Sequence, residues 1–180
     1  LNQITNGQCN FGGYTITGKT AFAQRSTMQE PNTIYEINLK KGDYEQFLEW
    51  NQDILGKLEK STVRKHWIKT STGEKMLTWL ILPPNFDSTK TYPTLLYCQG
   101  GPQSAISQYY SFRWNFELMA ANDYIIVAPN RHGVPTFGQD YNHQISGDWG
   151  GQAMKDYVKA ISWASKLKYV DEERLGCVGA

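Results

Sequence analysis

The feature that most constrains the fold is an apolar run of strand length at residues 124–128, which reads YIIVA. A strand that is apolar on both faces is typical of the centre of a parallel sheet covered on each side by helices. Strand-like and helix-like segments alternate around this run from residue 63 onward. The pattern therefore predicts an α/β fold with a three-layer arrangement.

The other elements of this region follow from periodicity and turn signals. The predicted strands are residues 64–69, 75–82, 94–98 and 175–178, and the predicted helices are residues 112–121 and 153–164. The second helix is predicted from an apolar stripe of helical period, which consists of Ala153, Met154, Tyr157, Val158, Ile161 and Ala164. The first two strands are joined by STGE, a good turn sequence. The last strand is expected to be buried, like the run at residues 124–128.

The first 59 residues have a different pattern. Residues 13–23 and 33–39 alternate apolar and polar side chains, and KKGD at residues 40–43 is typical of a hairpin turn. A few short antiparallel strands cannot bury both faces by themselves, so the segment predicts part of a larger sheet, such as one propeller blade. Residues 51–59 lose the alternation and predict a linker, with a domain boundary near Glu59.

Composition excludes several classes of function. The formal net charge of +1 offers no strong field for nucleic acid or for an anionic membrane. The longest apolar runs are far shorter than the roughly 20 residues that span a bilayer. The three cysteines fit neither a disulfide framework nor a metal site, so Cys98 and Cys177 are expected in the core. No cofactor is expected.

Two short sequences point to chemistry. QGGP at residues 99–102 follows a predicted strand, and successive glycines let a backbone turn tightly and present an N–H group to a ligand oxygen. Gly179 ends the last strand-like run and would be the first glycine of a G-x-S-x-G nucleophile elbow if a serine stood at position 181. Each sequence alone is at least as compatible with an ordinary turn.

In combination, these sequences resemble the prolyl oligopeptidase family, in particular its dipeptidyl peptidase and acylaminoacyl peptidase branches. PPNF, YP, QGGP, NRHG, DWGG and the closing run VDEERLGCVGA follow the order and spacing of that family. The resemblance is strong over residues 60–180 and looser over residues 1–59. It implies the end of an N-terminal β-propeller and a linker in residues 1–59, and the N-terminal portion of an α/β-hydrolase domain in residues 60–180.

The resemblance also implies a serine-type peptidase that releases short N-terminal units from peptides. The Ser, Asp and His of its triad are expected beyond Ala180, so the chain alone is expected to be inactive. The catalytic groups expected within the chain are those of the oxyanion loop, Gln99, Gly100 and Gly101. Several relatives use a Tyr hydroxyl at the position of Gln99 and others a backbone N–H; we assign the donor to Gly101.

Further expectations concern partners and alternatives. Short peptides are the expected substrates, and the resemblance leaves a homodimer of the full-length protein open. A periplasmic or secreted location is expected from the resemblance, with a cytoplasmic one as the alternative. Another α/β-hydrolase, such as an esterase, and a binding module without chemistry are the competing functions.

Several polar residues in the second half remain to be assigned. His132 and His143, with Asp140 and Asp148, could be metal ligands, but hydrogen bonds to the local backbone are favoured for the histidines. None of the three histidines stands where the family has its catalytic histidine. Arg131 is expected to brace the loop, and Asp148 is expected to cap the helix that follows it.

Overall fold

The computed structural model describes residues 2–179, which form two compact units. The first unit contains residues 2–59 and Ser107–Asn115, and the second contains Lys60–Ile106 and residues 116–179. The inclusion of residues 107–115 in the first unit was not anticipated from the sequence. The helix predicted over residues 112–121 accordingly begins only at Phe116.

The first unit is built on a four-stranded antiparallel sheet in the order β1–β2–β3–β4. Its strands are β1 (Asn10–Thr17), β2 (Thr20–Ser26), β3 (Thr33–Asn38) and β4 (Tyr44–Gln46). The alternation at residues 13–23 runs across a hairpin, because Gly18 adopts a φ of 59° between β1 and β2. A single helical turn, α1 (Gln52–Leu55), lies in the segment predicted as a linker.

The second unit contains a five-stranded sheet in the order β5–β6–β8–β7–β9. Its strands are β5 (Thr62–Lys69), β6 (Lys75–Leu82), β7 (Tyr92–Cys98), β8 (Ile125–Pro129) and β9 (Val170–Gly179). β5, β6 and β8 pair antiparallel, whereas β8, β7 and β9 pair parallel. All five residues of β8 are buried, as the apolar run predicts, and the predicted α/β class is confirmed.

Helices cover both faces of this sheet. They are α2 (Phe116–Ala121), α3 (Gln139–His143) and α4 (Gln152–Ala164). Ala160 and Ala164 of α4 pack in one core with Leu96, while the ring of Phe116 lies 5.0 Å from that of Tyr97. Neighbouring strand residues point to opposite faces, so α2 and α4 form the two outer layers. None of the helices in residues 2–179 has the length and apolar character of a bilayer-spanning segment.

The buried stripe of α4 differs from the predicted one. Met154 and Val158 are expected in the core from their spacing, but they are 57% and 54% exposed. The buried residues are Ala153, Asp156, Ala160 and Ala164. Three alanines let the helix approach the sheet closely, and the carboxylate of Asp156 is buried because His132 and Gln152 make hydrogen bonds to it, as described below.

The strand predicted at residues 175–178 is confirmed as part of β9, but its predicted burial is wrong. Most of β9 is exposed, including Cys177, because within residues 2–179 this strand lies at the edge of the sheet and pairs only with β7. Cys98 is partly buried, and that burial raises the pKa of its thiol. The core position expected for Cys177 is therefore also wrong, and Ala180 lies outside the described residues.

Replacing Gly179 with alanine is predicted to destabilise the folded protein. Its φ is +148°, and an added Cβ would collide with the carbonyl oxygen of Cys98 on the neighbouring strand. We expect Gly179→Ala to lower the free energy of unfolding by about 2–5 kcal/mol in equilibrium urea unfolding of the protein. Gly176→Ala is the matched control, because its Cβ would meet only the flexible end of Leu95, at 3.2 Å. Equal midpoints for the two variants would contradict the prediction.

Candidate active site

The QGGP sequence lies at the carboxyl end of β7, next to the end of β9, where Cys98 pairs with Gly179. Ligand sites of α/β sheets form outside the carboxyl ends of parallel strands. A cavity of about 320 Å³ opens at this place. Its walls are formed by Cys98, Gln99, Gly100, Arg131, Trp149, Gly150, Ala153, Met154, Tyr157 and Gly179.

Backbone donors are available in this loop. Within residues 2–179, the N–H groups of Gly100 and Gly101 make no hydrogen bond to a protein atom. Gly101 has a φ of +116°, a conformation that glycine adopts readily, and Gly100 lies in the cavity wall. The side-chain amide of Gln99 donates to the hydroxyl of Ser104 at 3.2 Å. The loop therefore offers free N–H groups, whereas the Gln99 side chain already has a partner.

The side chain of Arg131 binds the backbone of the QGGP loop. Its guanidinium is buried, and Nη2 donates to the carbonyl oxygens of Gln99 at 3.2 Å and Pro102 at 2.6 Å. Nη1 donates to the carbonyl oxygen of His132 at 2.8 Å. The expected bracing role of Arg131 is confirmed, because one side chain connects the loop after β7 to the loop after β8.

Tyr157 of α4 adds a second support that the sequence analysis missed. Its hydroxyl accepts from Nε of Arg131 at 3.1 Å and donates to the carbonyl oxygen of Gln99 at 3.0 Å. Burial raises the pKa of Tyr157, so the hydroxyl keeps its proton at neutral pH and remains a donor. The helical spacing identified Tyr157 only as an apolar-stripe residue, because periodicity does not reveal where a hydroxyl points.

Asn130 fixes the far end of the same loop. Its side chain is buried and makes two hydrogen bonds with Ile106, accepting from the N–H at 2.8 Å and donating to the carbonyl oxygen at 3.0 Å. The indole N–H of Trp79 donates to the same carbonyl oxygen at 2.9 Å. Residues 99–106 are thus held at both ends by the two residues that follow β8.

The ring of His132 faces two carboxylates and does not bind the local backbone within residues 2–179. It is fully buried, with Nδ1 at 2.5 Å from Asp156 Oδ2 and Nε2 at 2.8 Å from Glu74 Oε2. The exposed His143 lies 2.6 Å from the side-chain nitrogen of Gln139. The preference for local backbone partners was wrong for both rings. No three His, Cys, Asp or Glu side chains of residues 2–179 converge as a metal site.

The expected capping role of Asp148 is wrong. α4 begins at Gln152, its cap position is Gly151, and no side chain caps it. Asp148 stands three residues before Gly151, and its carboxylate fills the space where a Cβ of that glycine would be. A glycine at position 151 therefore leaves room for the Asp148 side chain.

The fold and this loop define an α/β-class protein with its candidate site at the carboxyl ends of parallel strands. Residues 110–180 match the prolyl oligopeptidase family. Over all 180 residues the chain is 48% identical to dipeptidyl-peptidase 5 of Porphyromonas gingivalis and covers 26% of that protein. It is 30% identical to the probable dipeptidyl-peptidase 5 of Emericella nidulans, with 99% of the chain and 25% of that protein aligned.

The chain therefore belongs to the prolyl oligopeptidase family, as its motifs indicated, and it spans about a quarter of the length of the curated relatives it matches. Among solved structures it is similar to the acylaminoacyl peptidase of Pyrococcus horikoshii, with a TM-score of 0.85 and 22% identity over 97% of the chain and 27% of the other. It is also similar to dipeptidyl peptidase 4 of Porphyromonas gingivalis, with a TM-score of 0.73 and 20% identity over 93% of the chain and 24% of the other. These two likenesses concern the fold.

Tyr157→Phe should destabilise the protein although it leaves no large cavity. The change leaves Nε of Arg131 without its acceptor and removes one donor from the carbonyl of Gln99. We expect a loss of about 1–3 kcal/mol in the free energy of unfolding, measured with urea. Tyr169→Phe is the matched control, because the Tyr169 hydroxyl makes no hydrogen bond within residues 2–179. Identical losses for both variants would refute the bracing role of Tyr157.

Proposed function

We propose that this chain is part of a serine peptidase that removes short N-terminal units from peptides, and that its loop at residues 99–101 supplies an oxyanion donor. The observation that carries the proposal is the pair of free N–H groups on Gly100 and Gly101, beside a cavity at the carboxyl end of β7. The names of the relatives, dipeptidyl-peptidase 5, support this class of reaction.

The proposal assigns residues 1–59 to the end of a β-propeller and residues 60–180 to the N-terminal portion of an α/β-hydrolase domain. The four-stranded antiparallel sheet of the first unit has the form of one propeller blade. The sheet order β5–β6–β8–β7–β9, with its helix-linked parallel strands, supports the second assignment. Short peptides are the proposed substrates, and the proposed location is periplasmic or extracellular.

The chemistry requires a donor where negative charge develops. When a serine attacks the scissile carbonyl, the carbonyl oxygen becomes an oxyanion that two N–H groups can stabilise. One donor comes from the residue after the serine in a G-x-S-x-G elbow, and we assign the other to the N–H of Gly101. Because Arg131 and Tyr157 both bind the carbonyl of Gln99, the peptide that precedes the two glycines is fixed before substrate arrives.

The role of the Gly101 backbone can be separated from that of the Gln99 side chain in the full-length protein, at the length of the relatives. Gly101→Ala should lower kcat by about 10²–10³-fold, because an added Cβ would lie 2.9 Å from Cβ of Ser104 and displace the donor. Gln99→Ala should change kcat only a few-fold, since its amide binds Ser104. Turnover is compared at saturating peptide.

Gln103→Ala is the matched control for Gln99→Ala, because Gln103 is exposed and, within residues 2–179, its amide binds only the carbonyl of Asn142. A loss of about 100-fold for Gln99→Ala, with the fold intact, would show that the side chain of Gln99 is the donor. Unchanged turnover of Gly101→Ala would remove Gly101 from the site.

The 180-residue chain itself should not react with a fluorophosphonate probe. Within residues 2–179 none of the three histidines makes a hydrogen bond to a serine, so no Ser–His pair of the kind that activates a serine nucleophile is present there. The full-length protein should be labelled stoichiometrically under the same conditions, as detected by mass spectrometry. Stoichiometric labelling of a serine in the 180-residue chain would contradict the proposed location of the nucleophile outside these residues.

A further inference from the structure

The second unit contains a buried ion cluster that the proposed reaction does not use. His132 has no exposed surface, and its two ring nitrogens face the carboxylates of Asp156 on α4 and Glu74 in the turn between β5 and β6. The ring stacks on Tyr141 of α3, with 4.1 Å between the centroids. The imidazole of His132 therefore contacts three separate elements, which are α4, the turn between β5 and β6, and α3.

Both ring nitrogens of His132 are engaged by carboxylate oxygens. A ring nitrogen that carries a proton donates to the carboxylate that it faces, because an ionised carboxylate can only accept. The hydrogen bond from His132 lowers the pKa of Glu74, which keeps that carboxylate ionised at neutral pH. Neither ring nitrogen of His132 is open to a substrate, which excludes the ring as a general base.

Asp156 depends on His132 for two of its hydrogen bonds. Its carboxylate is completely buried, and Oδ2 accepts from both the ring and the backbone N–H of His132, the latter at 2.8 Å. Oδ1 accepts from the side chain of Gln152 at 2.8 Å. Removing one partner from a buried ion pair is strongly destabilising because the remaining charge is left without compensation.

The cluster is directly connected to the supports of the oxyanion loop. The carbonyl oxygen of His132 accepts from Nη1 of Arg131, and Asp156 precedes Tyr157 on α4. Arg131 and Tyr157 are the two side chains that bind the carbonyl of Gln99. The ion pair therefore fixes the separation between the residues that orient the Gly100–Gly101 step.

We propose that His132 and Asp156, with Glu74 at the outer end, are a positioning cluster for the oxyanion loop, acting through Arg131 and Tyr157. This inference rests on the proposed peptidase function, because only that function gives the loop a transition state to stabilise. Loss of the cluster should weaken interactions made in the transition state more than those made with bound substrate. It should therefore lower kcat with little change in KM.

The first test is His132→Gln in the full-length protein with a dipeptide p-nitroanilide, assayed well below the unfolding midpoint. A glutamine cannot donate to both carboxylates and carries no charge. We expect kcat to fall by about 10- to 100-fold while KM changes less than about threefold. The control is His143→Gln, the same change at an exposed histidine, which should leave both constants unchanged. Unchanged kcat in a folded His132→Gln variant would overturn the proposal.

A double-mutant cycle separates positioning from a purely structural role. If His132 acts through Arg131, the variant that combines His132→Gln with Arg131→Lys should lose no more kcat than the more severely impaired of the two single variants. Multiplicative losses in kcat would show independent roles and overturn the proposal.

Glu74→Ala covers the case in which His132→Gln does not fold, because the Glu74 side chain is 44% exposed. It should lower kcat about three- to tenfold at constant KM, and no change would count against the cluster.

Hydrogen exchange tests the same proposal without any turnover. In His132→Gln or Glu74→Ala, the amide of Ile106 in this loop, which donates to Asn130, should exchange at least about tenfold faster than in His143→Gln, because the supports of the loop are loosened. Unaltered exchange in this loop would overturn the positioning role whatever the activity. A full-length protein with no turnover and no fluorophosphonate labelling would instead refute the peptidase function, and the exchange rates would still decide whether the cluster positions the loop.

Discussion

The burial of one guanidinium against three carbonyl oxygens is the constraint on which the candidate site depends. Arg131 donates to the carbonyls of Gln99, Pro102 and His132, and to the hydroxyl of Tyr157. A buried cation needs partners at most of its donors, and carbonyl groups of two loops provide them here. The loops after β7 and β8 therefore have one mutual arrangement, and the free N–H groups of the glycines are presented from a fixed backbone.

The four residues NRHG after β8 act as a unit because each solves a different packing problem. Asn130 binds Ile106, Arg131 binds Gln99 and Pro102, and His132 binds the buried Asp156 through its ring and its backbone N–H. Gly133 adopts a φ of +101°, and a Cβ there would lie 2.8 Å from Nη1 of Arg131. The tight turn thus brings three polar side chains to the base of one loop, which is an arrangement suited to a preorganised site.

The differences between sequence and structure have identifiable causes. Helical spacing marked Met154 and Val158 as core, but periodicity reports only that a face exists and cannot show that alanines and a paired carboxylate occupy it. The apolar spacing predicted a helix from residue 112, yet residues 107–115 belong to the first unit, in which Ser26 binds Gln108 and Asn10 binds Ser107, and the helix begins at Phe116. Spacing along the chain does not show which residues a segment packs against. The exposure of β9 was not predicted because an apolar run does not reveal whether its strand lies at the centre or at the edge of a sheet.

The sequence by itself determined the α/β class of the second unit, the strands on either side of the STGE turn, the buried run of β8 and the family motifs, including the loop at residues 99–102. These properties depend on local periodicity, turn chemistry and motif order, all of which are written along the chain. Only the tertiary structure decided that Arg131 and Tyr157 share the carbonyl of Gln99, and that His132 lies between Asp156 and Glu74. Those contacts join residues that are 24 to 58 positions apart in the sequence. Packing between elements, rather than the neighbours in sequence, decides which of these side chains meet and how deeply each is buried.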